Sequence, residues 1–127
     1  MISGKTAEEI HSILIKRFGG TDGTRDASAL VSVLLKPFQT FENVDLYPDL
    51  PSKAAALIES VITNHPFIDG NKRTAYILMR LFLIYNNADI NTSQQEKFEF
   101  VMSIAKGERR YDEIVQWLTS YIVYQNV

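Results

Sequence analysis

Apolar positions recur along most of this chain at three- and four-residue spacings, the period of helices packed on a core. Thr6 and Glu9 have the spacing of a capping box, and Ile10, Ile13 and Leu14 follow on one face. Gly19-Gly20 ends this first helix, and Thr21 to Arg25 reads as a loop. Asp26 or Ser28 can cap a second helix bearing Leu30, Val31, Leu34 and Leu35, and Pro37 stops it. From Phe38 to Leu50 no helical period holds, and a structureless stretch of this length suits a flap or lid, with room for a short hairpin.

Pro51 fits the first turn of a third helix. Ala54, Leu57, Ile58, Val61 and Ile62 form its buried stripe, and it ends near Asn64, before Pro66. A fourth helix is predicted from Asn71 to about Tyr85, apolar nearly all round and therefore central. The fifth begins at Thr92 or Ser93, with Phe98, Val101, Met102 and Ala105 on its inner face and Gly107 at its end. The sixth carries Ile114, Trp117, Leu118, Tyr121 and Ile122. No strong strand, repeat or low-complexity segment stands out. The expectation is an all-α single domain over 1–127, about six helices around a central buried one, with a short flap.

Composition narrows the function. A hydrophobic fraction of 46% supports a core without staples. The absence of cysteine excludes disulfides, a thiol nucleophile and thiolate zinc sites. A net charge of −2 with no long basic run disfavours direct nucleic-acid binding. The N-terminus has no secretory pattern. The longest apolar stretch, Ala75 to Tyr85, is broken by Arg80 and too short to span a bilayer. No membrane association and a cytoplasmic location are expected.

The chemistry concentrates in His65-Pro66-Phe67-Ile68-Asp69-Gly70-Asn71-Lys72-Arg73, where a loop enters the fourth helix. Backbone N–H groups at a helix start favour an anion. Gly70 allows the chain close to it, and Lys72 and Arg73 add full charges suited to phosphate. Asp69 suits a magnesium ion bridging phosphate oxygens. His65 can take the proton that an acceptor hydroxyl must lose. Phosphoryl or nucleotidyl transfer needs this set, because positioning and charge stabilisation dominate it. Read singly, Gly70-Asn71 is better explained by a turn, with Asp69 or Asn71 as a cap. With His11 and His65 the only histidines, and distant in sequence, a zinc site is disfavoured, and no Walker-type loop is present.

The string resembles the motif of the Fic/Doc superfamily, His-Pro-Phe-x-Asp/Glu-Gly-Asn-x-Arg, at every fixed position. Other segments resemble its Doc (death-on-curing) branch. These are Ile10-His11 with Ile15, Phe18-Gly19-Gly20, Gly23-Thr24-Arg25-Asp26, Lys36-Pro37, Asp45-Leu46-Tyr47-Pro48, Lys53 to Leu57 and Asn64 to Ala75. The resemblance implies a Fic fold with His65 as general base, Asp69 as the magnesium ligand, and Gly70, Asn71 and Arg73 as the cradle for ATP phosphates. It further implies a buried Phe67 anchoring the loop, and a flap around Phe38 to Val44 that aligns the target. Lys72 joins the cradle as a departure from the AMP-transferring branch, which has glycine there. That branch also has a second arginine where this chain has Tyr76.

Both departures resemble Doc. They imply a toxin of a toxin–antitoxin pair that moves the γ-phosphate of ATP to a Ser/Thr hydroxyl of a translation factor of the elongation factor Tu type. AMP transfer is the runner-up, and a silent antitoxin-binding module the third reading. Restraint is expected from a Phd-like antitoxin whose helical tail lies in a groove. An internal inhibitory helix is not expected, because Thr92 to Lys97 lacks its final Gly or Asn and reads better as a Ser93–Glu96 cap.

Overall fold

The computed structural model describes residues 1–125; the last two residues of the expected 1–127 domain lie outside it. Among the described residues there are six α-helices and two small antiparallel sheets. Helix α1 spans Gly4–Phe18, α2 Ala27–Leu35, α3 Leu50–Asn64, α4 Asn71–Tyr85, α5 Gln94–Ala105 and α6 Tyr111–Tyr121. Strands β1 (Thr40–Phe41) and β2 (Val44–Asp45) form the flap hairpin, and β3 (Ala88–Ile90) pairs with β4 (Ile122–Tyr124). The all-α expectation holds, with these ribbons as small additions. Among the described residues no helix is long and apolar enough to cross a membrane.

The core is centred on two helices joined by the motif loop. In α3, Ala54, Ala55, Ala56, Leu57 and Ile58 are all buried. Successive helix positions turn by about 100°, so five buried in a row means neighbours on every side. Alanine at three of them lets those neighbours come close. Asp49 caps α3 in a reciprocal box with Ser52, and Pro51 sits in its first turn. In α4, Thr74, Ala75, Leu78, Met79, Phe82 and Leu83 face the core. Arg80, which interrupts that apolar run, makes a two-pronged ion pair with Asp89 at 2.8 and 3.0 Å and ties α4 to β3.

Several expectations are corrected. Helix α1 is capped by Ser3, whose hydroxyl accepts from the Thr6 N–H at 3.1 Å, so no Thr6–Glu9 box forms. Its buried face is Ala7, His11 and Ile15, whereas Ile13 is 62% exposed. His11 replaces an aliphatic on that face by stacking on Phe67, with ring centroids 4.1 Å apart. In α2, Leu30, Val33 and Leu34 are buried, and Val31 and Leu35 are exposed. Helix α5 buries Phe100 and Ile104, while Phe98 is 62% exposed and Ala105 faces solvent. The stack of Phe100 on Trp117, at 3.7 Å between centroids, sets that rotation. The β3–β4 ribbon was not foreseen, and Ile122 belongs to it rather than to α6.

In the flap, Glu42 and Asn43 both have positive φ, as a two-residue hairpin turn demands. Lys53 anchors its base, donating to the Pro37 carbonyl and the Asp45 carboxylate, each at 3.2 Å.

Candidate active site

The motif loop is held by the loop that follows α1. The N–H groups of Arg25 and Asp26 both donate to the Pro66 carbonyl, and that of Ile68 donates to the Gly23 carbonyl at 3.0 Å. The Arg25 side chain donates to the carbonyls of Asn64 and His65, each at 2.6 Å. His65 needs that grip. It ends α3 at φ 49, ψ 59, a left-handed conformation costing a non-glycine residue about 1–2 kcal/mol. Its exposed ring bonds the Thr63 carbonyl through Nδ1 at 3.2 Å. A carbonyl can only accept, so Nδ1 carries the proton and Nε2 is left as an open base.

Phe67 is buried and anchors the loop from below. Asn71 clamps the same residue from within the loop. Its Oδ1 accepts from the Phe67 N–H at 3.0 Å, and its Nδ2 donates to the Phe67 carbonyl at 2.9 Å. The Asn71 amide is thereby committed to structure, and what Asn71 can offer an anion is its backbone N–H.

Gly70 precedes α4 in the left-handed conformation, φ 72. A Cβ there would stand 3.1 Å from Ile15 Cδ1, so both the backbone conformation and the space call for glycine. The first-turn N–H groups of α4 face outward, as the geometry of a helix start requires.

Asp69 is exposed but fixed. Oδ2 accepts from the Thr21 N–H at 3.2 Å and Oδ1 from the Gly70 N–H at 2.9 Å. The Thr21 bond, then the Gly70 bond, hold its carboxyl below the ordinary carboxylate value. A Cβ on Gly20 would come within 2.9 Å of Oδ2, so that glycine clears the space. An ionised, oriented single carboxylate fits magnesium, which takes one or two carboxylates and completes its shell with phosphates and water. Among the described residues no cluster of three ligating side chains exists, so an all-protein metal cage does not fit.

These groups open onto one cleft of about 630 Å³, lined by His65, Asp69, Gly70, Asn71, Lys72 and Arg73 on one side. Every residue assigned to the site from sequence reaches it. The Arg73 guanidinium lies 4.3 Å above the Phe18 ring centre, which supports it without using its donors. Tyr76 also lines the cleft, and burial pushes its hydroxyl up to about 12, so it supplies no charge there.

The opposite wall was not recognised from sequence. It comes from α5 and includes Gln94, Lys97, Phe98, Val101 and Met102. Sequence assigned the last three to the core because α5 carries two apolar stripes and periodicity cannot choose between them. Arg25 was noted only as part of a family pattern; its grip on His65 has no local signal. Glu96 does not line the cleft, and it accepts from the Trp117 indole at 3.0 Å while Ser93 caps the helix.

Fold and site together define a helical domain whose central loop brings a helix N-terminus with two cations, an ionised carboxylate and an exposed histidine to one cleft. The sequence pattern of the Fic/DOC family matches residues 2–83, a span that includes the whole motif. A protein named Toxin Doc, from Mycolicibacterium smegmatis, is 42% identical over 108 residues, with 82% of each chain covered. This chain belongs to the Fic/DOC family.

Proposed function

We propose that this chain is the toxin of a toxin–antitoxin pair and acts as an ATP-dependent protein kinase. Its substrate class is a Ser/Thr hydroxyl on a translation factor of the elongation factor Tu type. The observation that carries the reading is the shared cleft, in which the open Nε2 of His65 meets the α4 N-terminus with Lys72 and Arg73. The hydroxyl oxygen attacks the γ-phosphorus of ATP, and its proton passes to His65 Nε2. The bond from that phosphorus to the bridging oxygen breaks, and ADP leaves. The first-turn amides, Lys72 and Arg73 stabilise charge on the phosphoryl oxygens. Asp69 would hold magnesium, which would supply positive charge to offset that of the phosphates.

Tyr76 favours phosphate over AMP transfer. AMP transfer would call for a second fixed cation on α4 to hold the departing phosphates, and a neutral, buried phenol cannot act as one. The toxin role rests on the relative named Toxin Doc. A separately encoded antitoxin of Phd type, docking a helical tail in a groove beside His65, fits a chain whose Glu96 is engaged with Trp117 rather than the cleft.

The test is label transfer to a candidate translation factor in magnesium and ATP. Label on the γ-phosphate is expected on the target, and label on the α-phosphate is not. The reverse pattern would make the protein an AMP transferase. Transfer of neither label to any target would favour a silent antitoxin-binding module.

A further inference from the structure

Among the described residues, His11 is the one buried titratable side chain that the proposed chemistry does not use. It is 1% exposed and lies on α1, far from the motif in sequence. Its Nε2 sits 2.7 Å from the Asp69 carbonyl oxygen. A carbonyl has no proton to give, so Nε2–H is the donor. The other ring nitrogen lies 3.4 Å from Asp22 Oδ1, and Asp22 is itself held by the Ser12 hydroxyl and the Gly23 N–H. The ring face is parallel to Phe67 within 6°. His11 therefore has one orientation, fixed on three sides.

The peptide unit that His11 holds is the one joining Asp69 to Gly70. Its carbonyl accepts from His11, and its N–H donates to Asp69 Oδ1 at 2.9 Å. The two ends of one rigid plane thus carry opposite tasks. One end is pinned by α1, and the other aims the carboxylate. Gly70 is left-handed, so the plane before it depends on such a tether to keep its direction.

We infer that His11 is a positioning residue: its Nε2–H fixes the Asp69–Gly70 peptide plane, and through it the Asp69 carboxylate and the start of α4. This rests on the phosphoryl-transfer reading for its consequence, but not for its geometry. It gives α1 a part in the site although α1 supplies none of the residues that line the cleft.

Two variants separate the donor from the ring. His11→Phe keeps a stacking ring and loses the donor; His11→Gln keeps an N–H donor and loses the ring. In the ligand-free protein, amide exchange at Gly70 should speed at least tenfold in His11→Phe, with amides of α6 unchanged, and His11→Gln should restore most of the protection. The magnesium concentration giving half-maximal ATP binding by calorimetry should rise about tenfold in His11→Phe and recover in His11→Gln. A folded His11→Phe with Gly70 exchange and magnesium dependence like wild type overturns the inference. Should His11→Phe not fold, the ¹⁵N shifts of the wild-type imidazole decide: a protonated Nε2 supports the donor role, and an unprotonated Nε2 overturns it. Absence of magnesium-dependent ATP binding in wild type would instead count against the phosphoryl-transfer reading, and the Gly70 exchange would still judge His11.

Discussion

At the scale of single residues, the motif alternates side chains exposed to the cleft with side chains buried beneath it. His65 and Asp69 are exposed; the Arg25 side chain and the Thr63 carbonyl hold the first, and the N–H groups of Thr21 and Gly70 hold the second. Asn71 is buried and fully engaged in clamping Phe67. A contiguous motif hides that division, because both kinds of residue appear side by side. His65→Ala is expected to slow transfer by roughly 10²–10⁴-fold, the range for loss of a general base. Since the ring is exposed and makes one long bond, thermal denaturation should show a stability change of no more than about 0.5 kcal/mol. Transfer at the wild-type rate would remove His65 from its assigned role.

At the scale of elements, the helix start at Gly70-Asn71 depends on a clamp rather than on an ordinary side-chain cap. No side chain caps α4, and the Asn71 side chain reaches back instead to both polar groups of the Phe67 backbone. Removing it leaves a buried N–H and a buried C=O without partners, at about 1–3 kcal/mol each. Asn71→Ala is expected to lower stability by roughly 2–4 kcal/mol in a urea titration. It should also loosen the loop that carries Asp69. An unchanged unfolding midpoint would mean that core packing and the Gly23 and Arg25 bonds hold Phe67 without the clamp.

The same scale explains what the sequence reading missed. Helix α5 has Phe98, Val101, Met102 and Ala105 at one helical spacing and Phe100 with Ile104 at another. Both stripes are apolar, so the period marks a helix without marking its rotation. The stack with Trp117, on another helix, makes the choice. In α1 the difficulty is different: a histidine on the buried face breaks the apolar pattern, and its partners, Phe67 and the Asp69 carbonyl, lie across the domain.

At the scale of the whole molecule, the motif loop and the β3–β4 ribbon lie at opposite ends of α4. The β3–β4 ribbon joins the end of α4 to the segment after α6, away from the motif loop. Asn91 and Gln125 donate across it to Tyr121 and Asn87, so in the alternation of an antiparallel ladder Asp89 and Val123 form the bonded pair between them. Val123→Pro removes that bond and is expected to cost about 1–3 kcal/mol, read as a lower melting temperature. Transfer per folded molecule should stay at the wild-type level. A selective loss of transfer at temperatures where the variant is folded would show that the ribbon supports the site.

The helices, most of their boundaries, the left-handed turn and the nine-residue motif were legible in the sequence, because each is governed by neighbours a few residues apart. Capping, helical period and glycine at a tight turn are local effects, and the motif is contiguous. The tertiary structure alone decided the rest: which face of α5 closes the cleft, that Arg25 holds His65, that His11 holds Asp69, and that two short segments at 88–90 and 122–124 pair as strands. The physical reason is the same in each case. These features are satisfied by partners far along the chain, and a hydrogen bond, a ring stack or a strand pairing of that kind leaves no periodic trace in the residues that make it.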